Sequence, residues 1–248
     1  MVASAGFARP TPASPIIYTT GHTDITPDVV ELEPGVFTLR GVWKNDGAFQ
    51  GGVFVPAAAV VAVGIFDPAS TTPNVVAPPS YRPASNDWDF LGVAAGDPLY
   101  ILPASGEPRS VPYVGWGTQN GTLDGHGFDR VRITLTGMTG PAGGNFSLFT
   151  TSANRPIYTY GVSTPFGSVT LPLEEHHHYS MAFTQPGVYD LTLLFEGLNG
   201  ATGPVIMTGS DTYRFEIQVV PEPGTVALAA AGLAGLAGLA AFARRRRV

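Results

Sequence analysis

The residues in this chain best suited to chemistry are its histidines, five in 248 residues. They occur at His22, at His126 and in the run His176-His177-His178. On an extended strand, alternate side chains share a face, so His176 and His178 point one way and His177 the other. Two imidazoles spaced about 6.5–7 Å along a strand can converge on one ion. His22-Thr23-Asp24 repeats that spacing with a carboxylate as the second group. Together His22, Asp24, His176 and His178 make a nitrogen and oxygen donor set suited to zinc or another divalent transition metal. Three readings stay open for these four residues: a metal-capture site, the metal centre of a hydrolase, or a hydrated edge paired with Glu174 and Glu175.

Other candidates carry less chemistry. His126 sits in Asp124-Gly125-His126-Gly127, a sequence that reads as a turn. Asp124 and Asp129 could offer oxygens to calcium, but their spacing does not match a standard calcium loop. Asn45-Asp46-Gly47 reads as a hairpin turn. Trp43, Trp88, Trp116 and Tyr113 are either core aromatics or the lining of a glycan or peptide groove. Asn145-Phe146-Ser147 has the form of a glycosylation acceptor. No cysteine is present, which excludes disulfides, thiolate nucleophiles and thiolate metal sites. Phosphate-cradling loops, a nucleophile elbow and a defined carboxylate pair are also missing from the sequence. The chain therefore reads as a non-catalytic protein that binds a ligand.

The elements that must position these side chains are strands. Between Tyr18 and Val220 no helical period is sustained, and short apolar or alternating runs are separated by Gly, Pro, Asn and Asp. Val36 to Trp43, Arg130 to Thr136, Asn145 to Thr150, Pro156 to Tyr160, Ser168 to Leu171, Val188 to Phe195 and Thr212 to Val220 are predicted strands. Pro56 to Val63 is ambiguous between a short helix and a strand. Asp67 to Asp87 reads as a long surface loop. The 31 glycines and 23 prolines favour turns over long helices. Strands at this spacing predict two packed sheets, with Gly127 to Val220 able to form a sandwich. The expected fold is all-β, an immunoglobulin-like β-sandwich ectodomain over residues 16–220 followed by a single C-terminal transmembrane helix.

That helix is predicted at 225–243, where 19 consecutive residues carry no charge. At about 1.5 Å per residue the segment just spans a hydrocarbon layer roughly 30 Å thick. Arg244, Arg245, Arg246 and Arg247 follow and should stay cytoplasmic, placing the preceding chain outside. The net charge is -6, from 13 basic and 19 acidic residues. Setting the four terminal arginines aside leaves 9 against 19, a net of -10. So acidic a body, with Lys44 as its one lysine, argues against nucleic-acid binding. Residues 1–15 lack the apolar run of a signal peptide, although Ala3-Ser4-Ala5 resembles the end of one. The expectation is a signal-peptide remnant, with an in-frame extension upstream of Met1, or else a flexible N-terminus.

Two family resemblances bear on these readings. Pro221-Glu222-Pro223, the apolar run and the terminal arginines, over residues 221–248, resemble the PEP-CTERM sorting signal. This implies export, an inner-membrane intermediate, processing by an exosortase-type enzyme, and delivery to the cell surface or extracellular matrix. The body resembles the bacterial choice-of-anchor M surface domain. Its matching blocks are Gly21-His22-Thr23-Asp24-Ile25, Trp88 to Val93, Leu99 to Pro103, Gly115-Trp116-Gly117-Thr118, Asn145 to Leu148, and His176 to His178 leading into Phe183-Thr184-Gln185-Pro186-Gly187. Where that family has a small residue, Asn and Trp after His-x-His, this chain has Tyr179, Ser180 and Met181. The resemblance implies a surface ligand-interaction module, and relatives found beside metal-uptake systems imply a link to metal.

Overall fold

The computed structural model describes residues 14–48, 52–71, 76–105, 110–150, 155–159 and 167–221. Sixteen strands lie among them. In chain order they are β1 (Ile16–Tyr18), β2 (Gly21–Glu33), β3 (Val36–Asn45), β4 (Phe54–Pro56), β5 (Val60–Phe66), β6 (Ser80–Tyr81), β7 (Pro98–Leu102) and β8 (Pro112–Gly117). There follow β9 (Arg130–Thr139), β10 (Phe146–Thr150), β11 (Arg155–Thr159), β12 (Ser168–Pro172), β13 (His176–His178), β14 (Ser180–Phe183), β15 (Gly187–Leu198) and β16 (Val205–Val219). The described architecture is all-β and β-sandwich-like, and its only helices are short 3-10 turns. The ambiguity at Pro56 to Val63 resolves into one such turn, Ala57–Ala59, followed by β5. The β-branched run from Val60 favours a strand here because β5 is almost wholly buried and lies between β1 and β16.

The strands form three sheets, where the sequence predicts two. A six-stranded sheet runs β1-β5-β16-β15-β9-β12, and two five-stranded sheets run β11-β10-β14-β7-β6 and β13-β8-β2-β3-β4. The second half of the chain does not make a sandwich by itself. Its strands β15 and β16 extend into β5 and β1, while β10 and β14 continue into β7 and β6. Parallel pairing of β5 with both β1 and β16, and of β2 with β8, ties early and late segments together. Asp67 to Asp87 is partly structured, containing β6 and the start of the 3-10 turn Asn86–Leu91.

One apolar core draws residues from all three sheets, from Tyr18 through Trp43, Trp116 and Phe146 to Phe215. Trp43 meets Tyr18, Tyr213 and Phe215 edge-on at centroid distances of 5.9, 5.1 and 5.8 Å. Truncating so large a buried ring typically costs about 3–5 kcal/mol. Tyr213 donates its hydroxyl to the Val42 carbonyl at 3.0 Å, joining β16 to β3 inside the core. Trp43 and Trp116 are therefore core residues, and alternation sends Lys44, Asp24 and Gly115 to the opposite face of their sheet.

Strand β2 is long and central, although its sequence contains Pro27. Its parallel pairing with β8 ends at Ile25, before the proline, so the missing N–H interrupts no bond on that side. Asn120 then donates to the Pro27 carbonyl at 3.0 Å.

Residues 1–13, Glu222, Pro223, the apolar segment 225–243 and Arg244 to Arg247 lie outside the described residues. Among those described, no helix is long and apolar enough to cross a membrane.

Candidate metal centre

Three adjacent strands of the site sheet assemble the cluster. Strand β8 lies in the middle, with β2 on one side and the edge strand β13 on the other. The register aligns His22 with Tyr113, Asp24 with Gly115, His178 with Gly115, and His176 with Gly117. All seven residues fall on one face, and Gly115 of β8 leaves space that the flanking side chains fill. A Cβ at Gly115 would meet Asp24 Oδ1 at 1.9 Å and His176 Cδ2 at 3.0 Å.

Strand β13 reaches its place through a three-residue crossing from β12, which belongs to the six-stranded sheet. Glu174 makes the turn with φ 63°, an uncommon conformation for a non-glycine residue. Thr118 then fixes the end of the crossing. Its N–H donates to the Glu175 carbonyl at 2.8 Å, and its hydroxyl oxygen accepts the Glu175 N–H at 3.1 Å. The same hydroxyl donates to the Pro172 carbonyl at 2.5 Å. These bonds hold the backbone immediately before His176.

His22 Nε2, His176 Nε2 and Asp24 Oδ1 form a compact triangle. The nitrogens are 3.4 Å apart, and they stand 3.1 and 3.5 Å from the carboxylate oxygen. A tetrahedral ion with bonds of 2.0–2.1 Å separates its donors by about 3.3–3.4 Å, so these edges match one face of such a polyhedron. One ring nitrogen each from His22, His176 and His178 also lie within 4.8 Å of one another. The His178 ring is stacked on Tyr113 at 4.1 Å and 10°. The predicted residues His22, Asp24, His176 and His178 are thus brought together.

The surroundings add groups that sequence spacing did not reveal. Asp46 Oδ2 lies 2.9 Å from His22 Nδ1, so a carboxylate supports the ring from behind while Nε2 faces the triangle. This is the arrangement that orients metal-binding histidines and raises their basicity. His22, Asp24 and Asp46 form a second group with ligand-like separations. The turn read at Asn45-Asp46-Gly47 exists, with the Asn45 side chain accepting the Gly47 N–H at 3.0 Å. What the turn also does is deliver Asp46 to His22, and only the fold brings those residues together.

Asp24 is 1% exposed, and neither of its oxygens accepts a properly directed hydrogen bond from a described donor. Its nearest polar neighbours are His22 Nε2 at 3.1 Å, His176 Nε2 at 3.5 Å and Lys44 Nζ at 3.9 Å. Asp28, four residues along the same face, is the informative contrast. It receives Arg40 Nε and Nη2 at 2.8 and 2.6 Å and the Thr122 hydroxyl at 2.7 Å. Leaving a buried carboxylate without such donors is costly, and a bound cation would remove the cost.

The electrostatics separate the imidazoles. The His22 pKa is raised above its ordinary 6.5, first by the close approach of the Asp24 carboxylate to Nε2, against the opposing effect of burial, with the charge of Asp46 adding to the rise. The His178 pKa is lowered, first by burial and then by the charges of His176 and His22. His177 is different. It turns to the other face, half exposed, with Nε2 3.6 Å from Glu175 Oε2. The hydrated-edge reading therefore applies to His177 but not to its two neighbours.

His126 lies elsewhere, against Phe37 at 4.8 Å. Asp129 is occupied by Arg130 and accepts the Gly200 N–H at 2.8 Å. Trp88 packs against Phe149 in a small separate cluster. Of the aromatic candidates, Tyr113 alone belongs to the metal centre. Comparison of the chain with protein-family models, curated proteins and solved structures gives no match.

Proposed function

We propose that this is a non-catalytic surface protein that captures a divalent transition metal, zinc being the best fit to the donor set. The observation carrying the reading is the triangle of His22, His176 and buried Asp24, whose edges match a tetrahedral ion. His178 supplies the fourth donor. Four protein donors leave no vertex for a substrate or an activated water, so capture is favoured over hydrolysis. The ligand-interaction module expected for a choice-of-anchor M domain then has a concrete ligand, the metal.

Export follows from the tail resemblance. In this proposal residues 16–220 form the immunoglobulin-like ectodomain. Residues 225–243 cross the inner membrane, Arg244 to Arg247 stay cytoplasmic, and an exosortase-type enzyme acts at Pro221-Glu222-Pro223. The mature protein reaches the cell surface or extracellular matrix, where metal is captured.

Zinc calorimetry on the untagged full-length chain in mild detergent tests the metal. Binding tighter than about 10 μM, lost in His176→Ala and His178→Ala, is the expected result. A chain that binds more weakly than this, or variants that bind as wild type does, would refute the reading.

A further inference from the structure

Lys44 is the only lysine in the chain, and it stands opposite Asp24 across the β2–β3 pair. Its Nζ is 3.9 Å from Asp24 Oδ2 and donates to Gln119 Oε1 at 3.2 Å. The two oxygens of Asp24 thus face different groups. Oδ1 looks toward His22 and His176, while Oδ2 looks toward the ammonium group. The row Lys44, Asp24, Gly115, His178 runs straight across four strands.

Building on the metal reading, we propose that Lys44 is a resident counter-cation that weakens and thereby sets the metal affinity of the site. In the metal-free protein its charge offsets that of buried Asp24. A metal ion must then bind beside a positive group that Gln119 helps to hold in place. Lys44 also reserves Oδ2, so Asp24 enters the coordination sphere through Oδ1 alone. A site tuned in this way takes metal and can give it up again, as a capture module must if metal is to pass onward.

The direction of the effect makes the proposal testable. Removing a contact that merely supports the fold should weaken binding or leave it unchanged. Removing a counter-cation should strengthen it. A divalent ion on Oδ1 would lie about 6 Å from Nζ, where repulsion at the dielectric of water amounts to roughly tenfold in affinity at low salt.

The experiment is zinc calorimetry at low salt on EDTA-stripped full-length protein, wild type against Lys44→Met and Lys44→Arg. Lys44→Met, which keeps the apolar stem, should bind zinc about tenfold tighter, and Lys44→Arg, which keeps the charge, should stay near wild type. Lys44→Gln provides the same neutralisation if the methionine variant does not fold. Neutral variants that bind zinc no tighter than a zinc-binding wild type would overturn the role of Lys44 and leave the metal centre standing. Absence of zinc binding in wild type and neutral variants alike would overturn both. Binding that appears only after neutralisation would support the counter-cation while refuting zinc capture by the wild-type chain.

Discussion

Replacing Gly115 with alanine adds one methyl group at the centre of the site, and its consequence can be worked from distances. The new Cβ would lie 1.9 Å from Asp24 Oδ1. Ordinary van der Waals contact begins near 3.4 Å, so the carboxylate must retreat by about 1.5 Å. Metal donors tolerate roughly 0.2 Å, so Oδ1 would leave the coordination sphere. Zinc affinity should fall by about 100-fold or more, at the upper end of what a misplaced supporting group costs. Overpacking at a buried position should also lower stability by about 1–3 kcal/mol. For a chain of this size, each kcal/mol lowers the melting temperature by roughly 2–4 °C.

Gly117 provides the control on the same strand and face. There the added Cβ would have its nearest contact at 3.5 Å, an ordinary separation. Gly117→Ala should retain zinc binding. It should be neutral or slightly stabilising, because alanine loses about 0.5–1 kcal/mol less backbone entropy than glycine. Calorimetry with zinc and thermal unfolding in EDTA read the two effects separately. Equal behaviour of the two variants, with zinc affinity retained in both, would refute the claim that Gly115 makes room for the Asp24 ligand.

Further outcomes follow from the same geometry. Asp46→Ala removes the carboxylate behind His22 Nδ1 and should weaken zinc binding by about 10- to 100-fold without abolishing it, as read by calorimetry. The metal-free protein should be most stable near pH 6.5. The raised His22 pKa contributes stability that is present below 6.5 and lost as pH rises through its folded value, whereas the lowered His178 pKa contributes stability present above 6.5 and lost as pH falls through its own. Melting curves in EDTA from pH 5.5 to 8 should show this maximum, and its alkaline side should flatten in His22→Ala. Zinc affinity should instead fall steadily on acidification, beginning above pH 6.5 because the His22 pKa is raised and protonated imidazole cannot coordinate. For the sorting signal, a C-terminal epitope should be absent from the mature surface protein in a host with an exosortase-type enzyme, and its retention would refute processing.

The sequence alone determined the all-β class, because glycine, proline and short alternating runs leave no room for a sustained helical period. Strands β9, β15 and β16 were legible for the same reason, each alternating over a half-buried surface. The pairings His22 with Asp24 and His176 with His178 were also legible, since period two is a local property of any strand. Strand β2 was harder to see. It is buried on both faces from Thr23 to Asp28 and interrupted by Pro27, so the expected alternation is absent. The third sheet, and the interleaving of the two halves, depend on parallel pairings between distant segments that leave no local mark. Tertiary structure alone decided that the two short motifs meet. It placed Gly115 beneath the Asp24 carboxylate, Asp46 behind His22 and Lys44 opposite Asp24. Each of these relations is fixed by register between strands far apart in the chain, and register is set by how whole sheets bury their apolar faces.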